Sequence, residues 1–305
     1  MESNYNNSTG VSYLSGFFIL IGLALLGLVV SGFFTLALFS FGGGSASEMK
    51  EAMSDPKNAH LTRLAQAVSV IISMIIPAFV TALILNRKPI QFLGFKKDAS
   101  LAQLGLVVAI MFCSLFAAGS LGILNKEIAQ AFGWGSWAEN LEKTYSEQVT
   151  VMLDLKGAGG YLTSILIMAF LPAVSEEMLF RGGLQNFLTR STGKPLLSIL
   201  VVSLLFSLVH FSVYGFLVRF FLGMVLGYIF YYTSNLWLAI TAHFFNNALA
   251  VTTIFLLTRQ GKSLEEAMSK EVSPSYWGLL ALPFVIWLFI ALFKNSRNTH
   301  VEIPE

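Results

Sequence analysis

The sequence predicts an all-α bundle of about eight membrane-spanning helices, and three observations predict it. Of 305 residues, 55% are hydrophobic and only 12% are charged, where a soluble domain carries roughly 25% charged residues. Mean hydropathy is +0.70, so a water-soluble fold of this chain would expose apolar area it has no polar surface to cover. Uninterrupted apolar runs of the length that crosses a ~30 Å hydrocarbon core recur along the whole chain. Inside lipid each span must satisfy its own backbone hydrogen bonds, which selects helices.

The runs fall near residues 13–41, 64–85, 101–124, 161–180, 195–211, 216–232, 236–257 and 276–293. The first is too long for the roughly 7–15-residue apolar core of a signal peptide, and no basic segment precedes it, so a retained span is expected. Between 195 and 232 the apolar character hardly breaks, but Ser212, Tyr214 and Gly215 cluster there, and one helix of that length would overshoot the bilayer. A turn over 212–215 is expected. The connecting segments are polar: Gly42, Gly43 and Gly44 open one of them, and residues 259–275 form another of mixed charge. The longest, 125–160, carries Trp134, Trp137 and Tyr145, which suit an interfacial helix. No internal repeat interrupts the pattern, so residues 1–305 read as a single membrane domain.

Charge excludes some functions. The formal net charge is +2 with Lys and Arg in short scattered clusters, so there is no basic stripe to neutralise phosphates and no nucleic-acid partner is expected. The lone cysteine, Cys113, lies in an apolar run and reads as packing. Eight spans would bring both termini, Arg87 to Lys97, Arg190 to Lys194, Lys294 and Arg297 to one side. Those short loops are the basic ones, which predicts both termini in the cytoplasm. The compact chain suggests a bacterial inner membrane.

The informative residues are the ionisable ones within apolar runs, since each costs a few kcal/mol or more at mid-bilayer and must line a cavity or find a partner. They are Glu176, Glu177, Arg181, His210, Arg219 and His243, with the amide Asn247. By contrast, His60 and His300 lie in polar segments. Glu177 and Arg181 are four apart with the acid first, the favourable order for a helical ion pair. Glu176 is rotated about 100° from Glu177, so that pair leaves it without a local cation. Phe206 precedes His210 by one turn and shares its face. His243 and Asn247 are likewise one turn apart. Counted at about 1.5 Å per residue from the Arg190 side, Glu176 and His210 lie roughly 20 Å deep and His243 somewhat over 10 Å, close enough to meet once the helices tilt. A structural reading remains for each: an ion pair that only joins helices, and a histidine that only fills a core.

Glu-Glu-x-x-x-Arg, then Phe-x-x-x-His, then His-x-x-x-Asn, on successive apolar runs, resembles the CAAX-protease/bacteriocin-processing (Abi) family of intramembrane peptidases, which includes the type II CAAX prenyl endopeptidases. The resemblance covers a core of about residues 162–251. It implies that Glu176, with His210, activates a water for attack on a peptide carbonyl. It further implies that Glu177 and Arg181 form the supporting ion pair. His243 and Asn247 then face the developing oxyanion or, in a metalloprotease reading, help hold a metal. The residue chemistry agrees, because an imidazole and an amide on one helix face supply oxyanion donors. Glu176, His210 and His243 are also ligand types for a divalent metal such as zinc, although His-Glu-x-x-His is absent. The metal-dependent and metal-free mechanisms both stay open. Ser175, Ser203 and Ser207 lack the framing of a serine nucleophile.

The expected function is therefore an intramembrane endopeptidase acting on a membrane-associated, possibly lipidated, peptide or protein. The alternative is a non-catalytic immunity or scaffold protein of the same fold. A proton-relay transporter is disfavoured by the lack of repeats or paired broken helices.

Overall fold

The computed structural model describes residues 10–40, 49–155, 157–269 and 275–298; the glycines at 42–44 and His300 lie outside them. Among the described residues all regular structure is helical. Seven helices are long and apolar enough to cross a bilayer, and the protein is an integral membrane protein. These are α1 (Tyr13–Ser40), α2 (Pro56–Leu85), α3 (Leu101–Ala131), α5 (Gly157–Thr192), α7 (Phe216–Thr233), α8 (Leu236–Arg259) and α9 (Tyr276–Ser296). Helix α4 (Gly135–Met152) occupies the long connection and exposes Trp134, Trp137 and Tyr145. Large apolar side chains such as Phe18, Phe33, Phe284 and Trp287 point outward, as a lipid-facing surface requires.

The run at 195–211 departs from expectation. Its helix, α6 (Pro195–Leu208), has 14 residues, about 21 Å of rise, and is shorter than a full span. Val209 and His210 turn out of the helix, and Phe211 adopts a left-handed φ of 49°. Composition hid this end because Val209 and Phe211 are as apolar as the helix they leave. The expected turn at 212–215 thus begins earlier, and His210 stands on it instead of within a helix.

Helices α2 and α5 each contain a proline, Pro77 and Pro172, and each carries a five-residue π-helical turn just before it, Ile71–Ile75 and Leu166–Phe170. A proline ring collides with the carbonyl four residues back; Ser73 and Met168, which carry those carbonyls, lie inside the widened turns. A third π segment, Met178–Gln185, directly follows the two glutamates. Such wide turns recur at functional sites.

Helix α3 packs against α7, α8 and α9, while α8 lies along α5 and the α6–α7 hairpin closes the other side. Two glycines one turn apart set the approach of α7 to α5. Arg181 Nη2 donates to Gly223 O at 3.2 Å and Gln185 Nε2 to Gly227 O at 2.9 Å. A Cβ on Gly227 would sit 2.9 Å from the Gln185 amide oxygen, so only a small residue leaves this contact intact. The turn joining α7 to α8 is recessed: Thr233, Asn235 and Leu236 are buried, and the Leu236 N–H donates to Gly94 O at 2.7 Å. Helix α8 therefore starts inside the protein, and His243, two turns along it, reaches the depth of the glutamates.

Candidate active site

Three helices and one turn build the polar centre. From α5 come Glu176, Glu177 and Arg181; from the end of α6, Phe206 and His210; from α8, His243, Asn246 and Asn247. Glu177 and Arg181 are almost wholly excluded from solvent, at 0% and 1% side-chain exposure, and form the expected ion pair, 2.6 Å from Arg181 Nη1 to Glu177 Oε1. The same oxygen accepts a second hydrogen bond, from His243 Nδ1 at 2.8 Å. Sequence reasoning missed this second role, since the partners are 66 residues apart and no local spacing signals it. Glu177 Oε2 and Arg181 Nε are buried without a hydrogen-bond partner.

Glu176 faces the opposite edge of the same imidazole. Its Oε2 lies 3.8 Å from His243 Nε2, and its side chain keeps 15% exposure. With Nδ1–H given to Glu177, Nε2 is the ring atom directed at Glu176. His243 is thus bracketed by adjacent glutamates, one bonded and buried, one near and accessible.

His210 and His243 share a neighbour. The Phe206 ring lies 4.9 Å from the His210 ring and 6.1 Å from the His243 ring, centroid to centroid. Its face also receives the Arg181 guanidinium at 4.6 Å, a cation–π contact that helps hold that charge in an apolar setting. His210 Nδ1 is 2.6 Å from Phe206 O. That carbonyl can only accept, so Nδ1 carries the proton and Nε2 presents a lone pair. The shared Phe206 ring thus places His210 on the same side of the site as His243. Asn247 sits one turn beyond His243, and its Oδ1 accepts from Asn246 Nδ2 at 2.8 Å, which leaves its own amide N–H groups to donate. Ser175 and Ser207 donate to backbone carbonyls, Leu171 O and Phe216 O, at 2.8 and 2.6 Å.

The His210 turn is held by two side chains that the sequence did not single out. Glu142 of α4 accepts from Ser212 Oγ at 2.7 Å and from the Tyr214 N–H at 3.0 Å. Asn125 of α3 donates to Val213 O and accepts from the Leu217 N–H. A polar Asn125 closing an apolar run was the one available signal for the second; for Glu142 in a polar segment there was none.

Among the described residues no group of three His, Cys, Asp or Glu side chains is disposed to hold a metal ion. His243 Nδ1 and His210 Nδ1 are committed to Glu177 and to a backbone carbonyl, which leaves each Nε2 for a water, a substrate or a metal.

With this geometry described, comparison with known proteins becomes informative. Residues 158–249, which contain all of these groups except those of α3 and α4, match the family model for the type II CAAX prenyl endopeptidase Rce1-like proteins. The match covers 158–249 of the 305 residues and is a similarity to a protease family over that segment; it agrees with the resemblance drawn from the three motifs. No curated protein and no solved structure matches the chain. The matched segment spans α5 to most of α8, so the elements that complete the His210 turn from α3 and α4 lie outside it.

Proposed function

We propose that this protein is an intramembrane endopeptidase of the CAAX prenyl endopeptidase type, cleaving a membrane-associated peptide with a water activated by Glu176 and His210. The observation that carries the proposal is His243 held between Glu177 and Glu176, with His210 packed against the same Phe206 ring. Glu176 and His210 Nε2 are both acceptors. One water that donates a proton to each is held by both hydrogens and turns its own lone pair towards a carbonyl carbon. On attack, the proton passes to Glu176, which returns it to the leaving amine. The oxyanion that forms needs donors: Asn247 N–H, and His243 Nε2–H when the ring is an imidazolium. In that form the two glutamates are balanced by Arg181 and His243, and the cluster is neutral, as a buried group of charges requires.

No step in this scheme runs through a metal. Turnover is expected to survive chelation; loss on chelation with recovery on adding zinc would restore the metal-dependent reading. We place both termini in the cytoplasm, counting the short α6 as a pass so that the passes number eight, on the basic residues Arg87, Lys88, Arg190 and Lys194; a bacterial inner membrane is the proposed location.

The test is cleavage of an internally quenched farnesyl-cysteine peptide by the purified protein in phosphatidylcholine nanodiscs. Glu176→Gln keeps the shape and removes the base. It should lower kcat by about 10³-fold or more. Retention of wild-type turnover by Glu176→Gln would reject the proposal. Failure of the wild type to cleave any farnesylated or unmodified peptide would favour the non-catalytic alternative.

A further inference from the structure

We infer that Arg219 is a specificity-determining residue that receives a carboxylate of the substrate; this rests on the peptidase reading. Arg219 is on the first turn of α7, and its guanidinium lies over the Tyr145 ring of α4 at 5.2 Å. Its Nη1 is buried and has no hydrogen-bond partner. A Cβ on Gly215 would run into that Nη1, so the glycine allows the guanidinium to fold back and settle between the loop and Tyr145.

No carboxylate among the described residues pairs with it. Glu142 of the facing helix turns its Oε1 instead to Ser212 Oγ and the Tyr214 N–H. The contrast with the other arginines of the core is direct: Arg181 has Glu177, and Arg190 donates to Asn186 Oδ1. Arg219 also stands at the positive end of a helix, where a cation is unfavourable and an anion is stabilised. The half-buried guanidinium therefore lacks its natural complement, and an anion that supplied it would also be favoured at this end of the helix. Arg219 Nη1 lies against Gly215, on the turn that also carries His210, so an anion bound there shares that turn with the proposed reacting histidine.

The ligand chemistry follows from the fork. A guanidinium fixed by stacking presents its N–H groups to a planar two-oxygen anion, and a carboxylate of the peptide fits that pattern. The carboxylate has two sources, the C-terminus of the substrate or an acidic side chain near the bond that is cut.

Three farnesyl-cysteine peptides distinguish them: one with a free C-terminal carboxylate, one amidated, and one amidated but ending in Glu. Each is assayed with wild type, Arg219→Lys and Arg219→Gln in phosphatidylcholine nanodiscs, where no lipid carries net negative charge. The wild type should prefer the free carboxylate over the amide by about 10–100-fold in kcat/KM, mainly through KM, the range expected of a charged hydrogen-bonded contact. Arg219→Gln should bring that ratio close to one, and Arg219→Lys should keep part of it. If the Glu-ending amide recovers the preference, the carboxylate is that of a side chain. A ratio that stays at its wild-type value in both variants overturns the inference, as does a wild type that cleaves all three peptides alike. Fluorescence anisotropy of the same peptides on Glu176→Gln protein separates the two layers. An Arg219-dependent preference in binding, with no cleavage by wild type, would support the anion site and reject the peptidase reading.

Discussion

Glu177 has no exposed surface and bonds to both Arg181 and His243, whereas Glu176, one residue earlier, keeps 15% exposure and comes no nearer to His243 than 3.8 Å. The two carboxylates share a helix and a depth but not an environment. A buried carboxylate with two hydrogen-bond donors is fixed in place and its removal strands them. A carboxylate at the edge of the same cluster is free to take a water and exchange a proton. The helical period makes this division possible, because consecutive residues point about 100° apart. Arg181 lies a turn from Glu177 and reaches it; His243, on another helix, reaches both.

The contrast breaks most visibly at Glu177. Glu177→Ala would leave Arg181 buried without its counter-charge and His243 Nδ1 without its acceptor. A loss of about 3–5 kcal/mol in unfolding free energy is expected, read by thermal or denaturant unfolding in detergent. Activity should fall as well, since His243 loses its orientation. A stable Glu177→Ala protein would mean that Glu177 is not the structural member of the pair.

The accessible side of the cluster is probed by Asn247. In the proposed mechanism its amide donates to the oxyanion only as charge develops, so Asn247→Ala should lower kcat by about 10²–10³-fold with little change in KM. A change confined to KM would show that Asn247 binds ground-state peptide instead. A milder effect is expected further out, at the support of the His210 turn. Glu142→Ala removes two hydrogen bonds from Ser212 and Tyr214, each worth about 1–3 kcal/mol with a charged acceptor. Amide exchange over residues 209–215 should quicken and kcat/KM fall roughly tenfold. Unchanged exchange would show that Asn125 alone holds the turn.

How much of this was legible in the sequence follows from how local each contact is. The Glu177–Arg181 pair was legible because both residues sit on one helix, at a spacing that brings side chains together. The convergence of α5, α6 and α8 was legible through the cost of burying charge, which singled out Glu176, His210 and His243. The bond from His243 to Glu177 was not, because it depends on how two helices pack. The early end of α6 was also hidden, since an apolar run records the solvent of a segment and not its hydrogen bonding. The recessed start of α8 was hidden for a similar reason: Thr233, Asn235 and Leu236 are buried in the turn before it, and nothing in residues 236–243 states where their helix begins. Glu142 was invisible because an acid in a polar loop ordinarily needs no partner.

The smallest expected effect is the sharpest test of the division between the two glutamates. Glu176→Ala should abolish turnover and yet change unfolding free energy by no more than about 1 kcal/mol, of either sign. Two opposing terms set that expectation. Removing the side chain gives up a weak attraction to His243 across 3.8 Å and some apolar contact of its methylenes. It also removes a partly desolvated carboxylate that has no hydrogen bond within the protein, and such a group is unfavourable where it stands. Arg181 keeps Glu177, and His243 keeps its bond through Nδ1, so no buried charge is left stranded. The measurement is unfolding of Glu176→Ala and Glu177→Ala side by side in the same detergent, with the farnesyl-cysteine peptide assay on each. If Glu176→Ala proves the less stable of the two, the base and the structural acid have been interchanged. The water would then have to be sought at Glu177 Oε2, the buried carboxylate oxygen that has no partner.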